Sequence, residues 1–357
     1  MRSIARNTEI GELQDTFLVS AVVMILVIRL QLWLTNYPQL GSGRLHIAHL
    51  LWGGLLMLIA LGILLSFVGR SLRRPAAVVG GIGFGFFIDE LGKFITEDND
   101  YFFKPAAGVI YVVFVLLFLA TRAMQTRRGV TPVEYVANAA DVLVDAARRP
   151  VDERERRRAL EWLDRSGRRD PFAEHLRELL QGLACVPARG PSLPARVAVG
   201  LRQRYERLAV TKPFATLLTV VFLVWALASL AQVLVLVFDM GSALAGARTG
   251  TPSFVNVASV VSSAAAGLLV LVGVRHLWRG DRIAAYSMLD RAVLVQIFVT
   301  QVFSFVESQF AAVFGLGLDI LLLVTIRFML HREQDLEAQT KEAAPKGGLR
   351  EAVPAGA

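Results

Sequence analysis

The chain has 357 residues, 54% of them hydrophobic, with a mean hydropathy of +0.51 and a formal net charge of +8. That apolar content excludes an ordinary soluble domain. The arginines fall in blocks between apolar runs, where they set membrane topology instead of forming a nucleic-acid surface, and the single cysteine, Cys185, excludes an internal disulfide framework and a CxxC motif.

Apolar stretches of spanning length occur near 17–35, 47–69, 76–96, 106–122, 214–238, 254–275, 288–308 and 310–328. They predict an all-α, polytopic membrane protein of eight transmembrane helices in the lipid bilayer. The first is expected to remain as an anchor, because its leader carries Glu9, Glu12 and Asp15 and no small-residue cleavage site follows it. Arg70, Arg73 and Arg74 follow the second span, an arginine-rich segment follows the fourth, and Arg275, Arg279 and Arg282 follow the sixth. The alternate loops are poor in basic residues, so the positive-inside rule puts both termini on the cytoplasmic side of the inner membrane.

Four regions are expected: a first four-span half over 1–122, a cytoplasmic helical insert over 123–212, a second four-span half over 213–330 and a disordered cytoplasmic tail over 331–357. In the insert, VEYVANAADVLVDAA, RRRALEWLDR and PFAEHLRELLQGL place apolar residues at helical spacing, and Asp170 before Pro171 reads as an N-cap with proline in the first turn. Such short antiparallel helices suit binding of a cytoplasmic protein partner; a polar spacer is the alternative.

The halves overlay as a 4+4 parallel repeat. ALGILLSFVGRSLRR at 60–74 aligns with AAGLLVLVGVRHLWR at 265–279, matching Arg70 to Arg275 and Arg74 to Arg279. A shifted overlay sets Asp89 on Thr300, Glu90 on Gln301 and Lys93 on Ser304. The second copy keeps polarity there and loses charge.

The third span carries the charge cluster, in GGIGFGFFIDELGKFITEDNDYFF. Ionisable groups inside hydrocarbon are site candidates by default. The intramembrane polar site expected from sequence comprises Arg29, Asp89, Glu90, Lys93, Glu307 and Asp319, with Asp89 pairing Lys93 at i,i+4 and Arg29 holding Glu90. Two readings follow: a cation or proton site open to the outside, or an ion-pair lock between helices. His46 and His49 share a helical face in HIAH and are the candidate ligands for a divalent metal, which could activate water in a membrane hydrolase. Gly81 and Gly85 form GxxxG and favour close helix packing. No Walker sequence, HExxH or Ser/His/Asp set occurs, so no catalytic or cofactor-binding residue is assigned and an enzyme is the less favoured class.

The string GFGFFIDELGKFITEDNDYFFKP, with the preceding HLLWGGLLM, resembles a family of uncharacterised multi-pass bacterial membrane proteins with a charged third span. The similarity covers spans two to four and implies no activity. Ion-coupled transport or permeation through the outward polar site is the leading expectation; a membrane scaffold or sensor with a partner-binding insert is the second, and a metal-dependent hydrolase the third.

Overall fold

The computed structural model describes residues 5–34, 49–95, 103–126, 129–187, 211–244 and 253–343, with Gly190, Arg196, Gly200, Gln203, Arg204 and Arg207 between them. The described residues are all-α apart from one two-residue parallel bridge, Val151–Asp152 with Cys185–Val186. The chain divides into two compact units, Met1–Arg196 and Val197–Ala357.

The first unit contains α1 (Ile10–Leu34), α2 (His49–Ser66), α3 (Arg73–Asp89), α4 (Leu91–Ile95) and α5 (Lys104–Thr126), followed by α6 (Pro132–Ala146), α7 (Glu153–Ser166) and α8 (Pro171–Gly182). Helix α3 packs against both α1 and α2. Its glycines allow this because a side chain would strike a neighbouring backbone. A Cβ on Gly85 would lie 2.6 Å from the Ala21 carbonyl oxygen, and one on Gly83 would lie 2.8 Å from that of Gly53. Gly81 and Gly85 thus serve α1, while Gly83 serves α2, and backbones approach as small residues permit. The outward faces of α1 and α2 expose Val19, Val23, Val27, Leu30, Leu51, Leu58 and Leu65, apolar surfaces suited to lipid.

Helices α6 to α8 enclose their own core of Val136, Ala139, Val142, Ala159, Trp162, Leu163, Leu176 and Leu180. Each starts on a side-chain cap. Thr131 with Glu134 and Asp152 with Glu155 form capping boxes, and Asp170 accepts from Ala173 N–H ahead of Pro171, as the sequence indicated. Gly167 ends α7 at φ +62°, a left-handed position glycine adopts without a Cβ penalty.

The second unit contains α9 (Lys212–Leu244), α10 (Phe254–Trp278), α11 (Arg282–Val295), a π-helical turn (Gln296–Thr300), α12 (Gln301–Ser308), a 3₁₀ turn (Gln309–Ala311) and α13 (Ala312–Ala343). Phe222, Val270, Val274, Leu289, Val293, Ile297 and Ile326 form its core. The chain reverses at Gln309, which has φ +50°, and α13 returns along α11.

Five described stretches are long and apolar enough to cross a membrane: Ile10–Leu32, His49–Ser66, Pro105–Gln125, Phe254–Trp278 and Arg282–Glu337. The chain is a multi-pass helical membrane protein. The expected third span differs from its predicted form. Residues 76–96 are not one helix: α3 ends at Asp89, Glu90 leaves helical geometry at ψ 6°, and α4 restarts at Leu91. The expected fifth span falls within α9, whose apolar part runs over Val220–Val235, and the last two occupy the reversing stretch 282–337. The tail expected to be disordered from 331 is helical through Ala343, because QDLEAQTKEA is rich in strong helix formers that need no buried face. Residues 344–357 lie outside the described residues.

The glycine contacts predict a contrast among four substitutions. Gly83→Ala and Gly85→Ala should each lower stability by about 1–3 kcal/mol, the usual effect of overpacking. Gly54→Ala and Gly62→Ala meet nothing within 4 Å and should leave it unchanged. Thermal unfolding of the purified protein in detergent checks both pairs.

Candidate functional site

The end of α3 brings together three helices through two adjacent carboxylates. Asp89 and Glu90 are 1% and 0% exposed, among the most buried side chains of the chain. Arg29, on α1, donates from Nε to Asp89 Oδ1 at 2.7 Å and from Nη2 to the Asp89 carbonyl at 3.2 Å. It therefore neutralises the carboxylate and satisfies a carbonyl that the end of α3 would leave without an intrahelical donor. Glu90 acts on the opposite kind of helix end. Its Oε1 accepts from the backbone N–H of His49, the first residue of α2, at 2.6 Å, and lies 3.4 Å from His49 Nδ1. A carboxylate at a helix N-terminus meets unsatisfied N–H groups and the positive end of the helix dipole. The His49 ring stacks on Phe86, one turn earlier on α3, with centroids 6.0 Å apart.

The pairing differs from that expected from spacing. Arg29 holds Asp89 instead of Glu90, and Glu90 caps α2. The i,i+4 argument for Asp89 and Lys93 assumed a continuous helix, which the break at Glu90 removes; the Lys93 side chain lies outside the described residues. His46 also lies outside them. Among the described residues, no group of three or more His, Cys, Asp or Glu side chains is placed to hold a metal ion. Chemically, the arrangement provides two charge-assisted caps and a carboxylate–imidazole contact.

Glu307 and Asp319 belong to the second unit. Glu307 is exposed near the end of α12, whereas Asp319 is buried on α13 and accepts from Gln301 Nε2 at 2.6 Å. Beside this pair, Thr300 donates to Ser262 Oγ at 3.0 Å, and Ser262 donates to the Ser259 carbonyl. The polar pattern of Thr300 and Gln301 was visible in the sequence, but Ser262 and the π-helical turn were not. Small hydroxyl residues in an apolar helix carry no signal of which face is buried.

A second polar group lies at the other end of the first unit. Arg6 donates from Nε to Glu134 Oε1 at 2.8 Å, and Thr8 and Arg6 bracket Asn138, whose amide donates to the Arg6 carbonyl. Arg70, after α2, pairs with Glu9, lies over the Trp162 ring at 5.0 Å, and donates its backbone N–H to Asp145. Arg73 pairs with Asp141 at 2.7 Å. Sequence reasoning gave Arg70 and Arg73 a topological role alone. Their partners lie on α6, on α7 and in the leader, at separations no local pattern reveals.

Compared with protein-family models, curated proteins and solved structures, the chain matches none.

Breaking the Arg29–Asp89 pair should be expensive because it leaves a half-paired charge among apolar helices. Asp89→Asn is expected to destabilise the protein by about 3–5 kcal/mol, and Arg29→Gln added to it should restore part of the loss. Glu90→Gln, which retains an acceptor for His49 N–H, should cost less than half as much. Denaturant unfolding of the four proteins in detergent measures the ordering.

Proposed function

We propose that this protein is a membrane sensor or scaffold of the inner membrane, with eight spans, both termini cytoplasmic, and α6 to α8 forming a cytoplasmic module that binds a protein partner. The observation that carries this reading is the bonding of α6 and α7 to the leader and to the α2–α3 turn, through Glu134, Asn138, Asp141, Asp145 and Trp162. A polar spacer would have no reason to bury Glu134 against Arg6 of the leader and Asp145 against the Arg70 backbone of the α2–α3 turn. The module and the bundle fall within one compact unit, so the ion pairs and hydrogen bonds between them offer a route by which rearrangement among α1, α2 and α3 reaches the module.

Helix α8 supplies a docking face. Phe172 and Leu179, spaced by two turns, are 61% and 59% exposed, while Ala173, Leu176 and Leu180 face the module core. An exposed apolar pair beside a fully packed core suits an amphipathic partner helix.

Ion-coupled transport or permeation is the second reading, favoured by the buried acidic pair Asp89 and Glu90. Proteoliposome flux separates the two. The sensor reading expects no ion flux above that of protein-free vesicles, and a flux abolished by Glu90→Gln would replace it with transport. In cells, Phe172→Asp with Leu179→Asp should remove partner crosslinks while leaving membrane insertion intact.

The docking contact also has a pH signature. The Arg6 hydrogen bonds hold the Glu134 carboxyl at about 2, down from an ordinary 4.5, with backbone donors at Thr131 and Arg6 assisting. A depressed carboxyl stabilises the folded contact above its unfolded pKa and ceases to do so as pH falls through the folded value. Hydrogen-exchange protection of the first turns of α6 should therefore be constant from neutral pH to about 5 and decline between about 4.5 and 2. Glu134→Gln should lower protection at neutral pH and flatten that acid dependence.

A further inference from the structure

The second unit holds a buried oxygen cluster that the proposed sensor role does not use. Gln301 is 4% exposed, and its amide nitrogen is committed to Asp319. Its Oε1 is buried and accepts no hydrogen bond from the described residues; the same is true of Gln296 Oε1. The amide that carries the Gln301 oxygen is thus itself held against the carboxylate. Gln296 stands one π-helical turn before Gln301 in the same stretch, where the Gln301 N–H bonds to the Gln296 carbonyl across five residues. Such turns are frequent at functional positions, where they re-aim side chains.

The opposing helix makes room for this arrangement. A Cβ on Gly315 would lie 3.2 Å from Gln301 Nε2, so glycine is what admits the amide between α12 and α13. Thr300 and Ser262 add hydroxyl oxygens on the α10 side, at 3.0 Å from each other. Among the described residues no basic side chain pairs with Asp319. The nearest acid–base pair in sequence on these helices, Asp290 with Arg327, is closed on itself at 2.9 Å. Arg275 and His276 lie in the last turn of α10, remote along that helix from Ser262.

A buried acceptor without a donor is destabilising, and two such oxygens on helices that also bury a carboxylate with no basic partner are the opposite of what an apolar helix packing requires. The geometry points to a binding site for a small monovalent cation of the sodium class, coordinated by Asp319 and the side-chain oxygens of Gln301 and Gln296. A hard alkali ion takes carboxylate and carbonyl oxygens. The charge argument selects a monovalent ion: one carboxylate balances it fully, whereas a divalent ion would leave a net positive charge among Val, Leu and Ile side chains. The site lies wholly in the second unit and is independent of the docked module.

Thermal unfolding of the purified full-length protein in detergent tests it, with sodium, lithium and potassium chlorides titrated against choline chloride at equal ionic strength. Binding to the folded state alone raises the midpoint with ion concentration. The site predicts a rise for at least one alkali ion over choline, absent in Asp319→Asn. Gln296→Leu provides the decisive second variant. If the Gln296 oxygen is a ligand, the half-saturating ion concentration rises by about tenfold or more. If it binds nothing, replacing an unsatisfied buried acceptor with an apolar group raises the midpoint without altering the ion response. That result overturns the proposal, as does a wild-type midpoint that no alkali ion moves relative to choline.

Discussion

Among apolar helices there is no water to satisfy a polar group, so every helix end and every carboxylate buried there must find its partner within the chain. The structure of the first unit follows from how that constraint is met at Asp89 and Glu90. Helix α3 stops at this point, leaving a carbonyl to be satisfied, and α2 begins beside it with an N–H in the same condition. Arg29 serves the first and Glu90 the second. The two acidic residues thus join α1, α2 and α3: an apolar residue in place of Glu90 would strand the His49 N–H, and one in place of Asp89 would strand the Arg29 guanidinium.

This closure depends on distance. Gly81, Gly83 and Gly85 let α3 approach α1 and α2 at backbone contact, and at that separation the Arg29 fork reaches both the side chain and the carbonyl of Asp89. The same bundle meets its module by a similar device at the other end. There Arg70 and Arg73 extend from the α2–α3 turn to carboxylates on α6 and in the leader. A shift of α3 relative to α1 would strain both ends, which gives the sensor reading a mechanical basis.

The second unit treats its own buried polar stretch differently. Thr300 and Gln301, which the sequence overlay sets against Asp89 and Glu90, are likewise buried and likewise mark a departure from regular α-helix. Here the departure is a π-helical turn, the polar groups are neutral, and the single carboxylate comes from α13. In the first unit the carboxylate is closed by an internal arginine. The second unit retains acceptor oxygens that no described side chain of the chain satisfies.

Composition and charge pattern alone determined the class of the protein: long apolar runs separated by arginine-rich segments leave no option but a helical membrane protein, because hydrophobic burial is additive along the chain. Caps such as Asp170 before Pro171 were also legible, since they involve residues within one turn. The importance of Asp89 and Glu90 was legible from the rarity of charge in such runs. Their partners were not. Whether Arg29 meets Asp89 or Glu90, and whether Arg70 orients a topology or clasps Glu9, depends on rotation and separation of helices distant in sequence. The break at Glu90 and the π-helical turn at Gln296–Thr300 change those rotations by a residue, which moves a side chain to another face. Only tertiary packing fixes that choice, because each partner is selected by the need to satisfy a buried polar group wherever the packed helices happen to leave one.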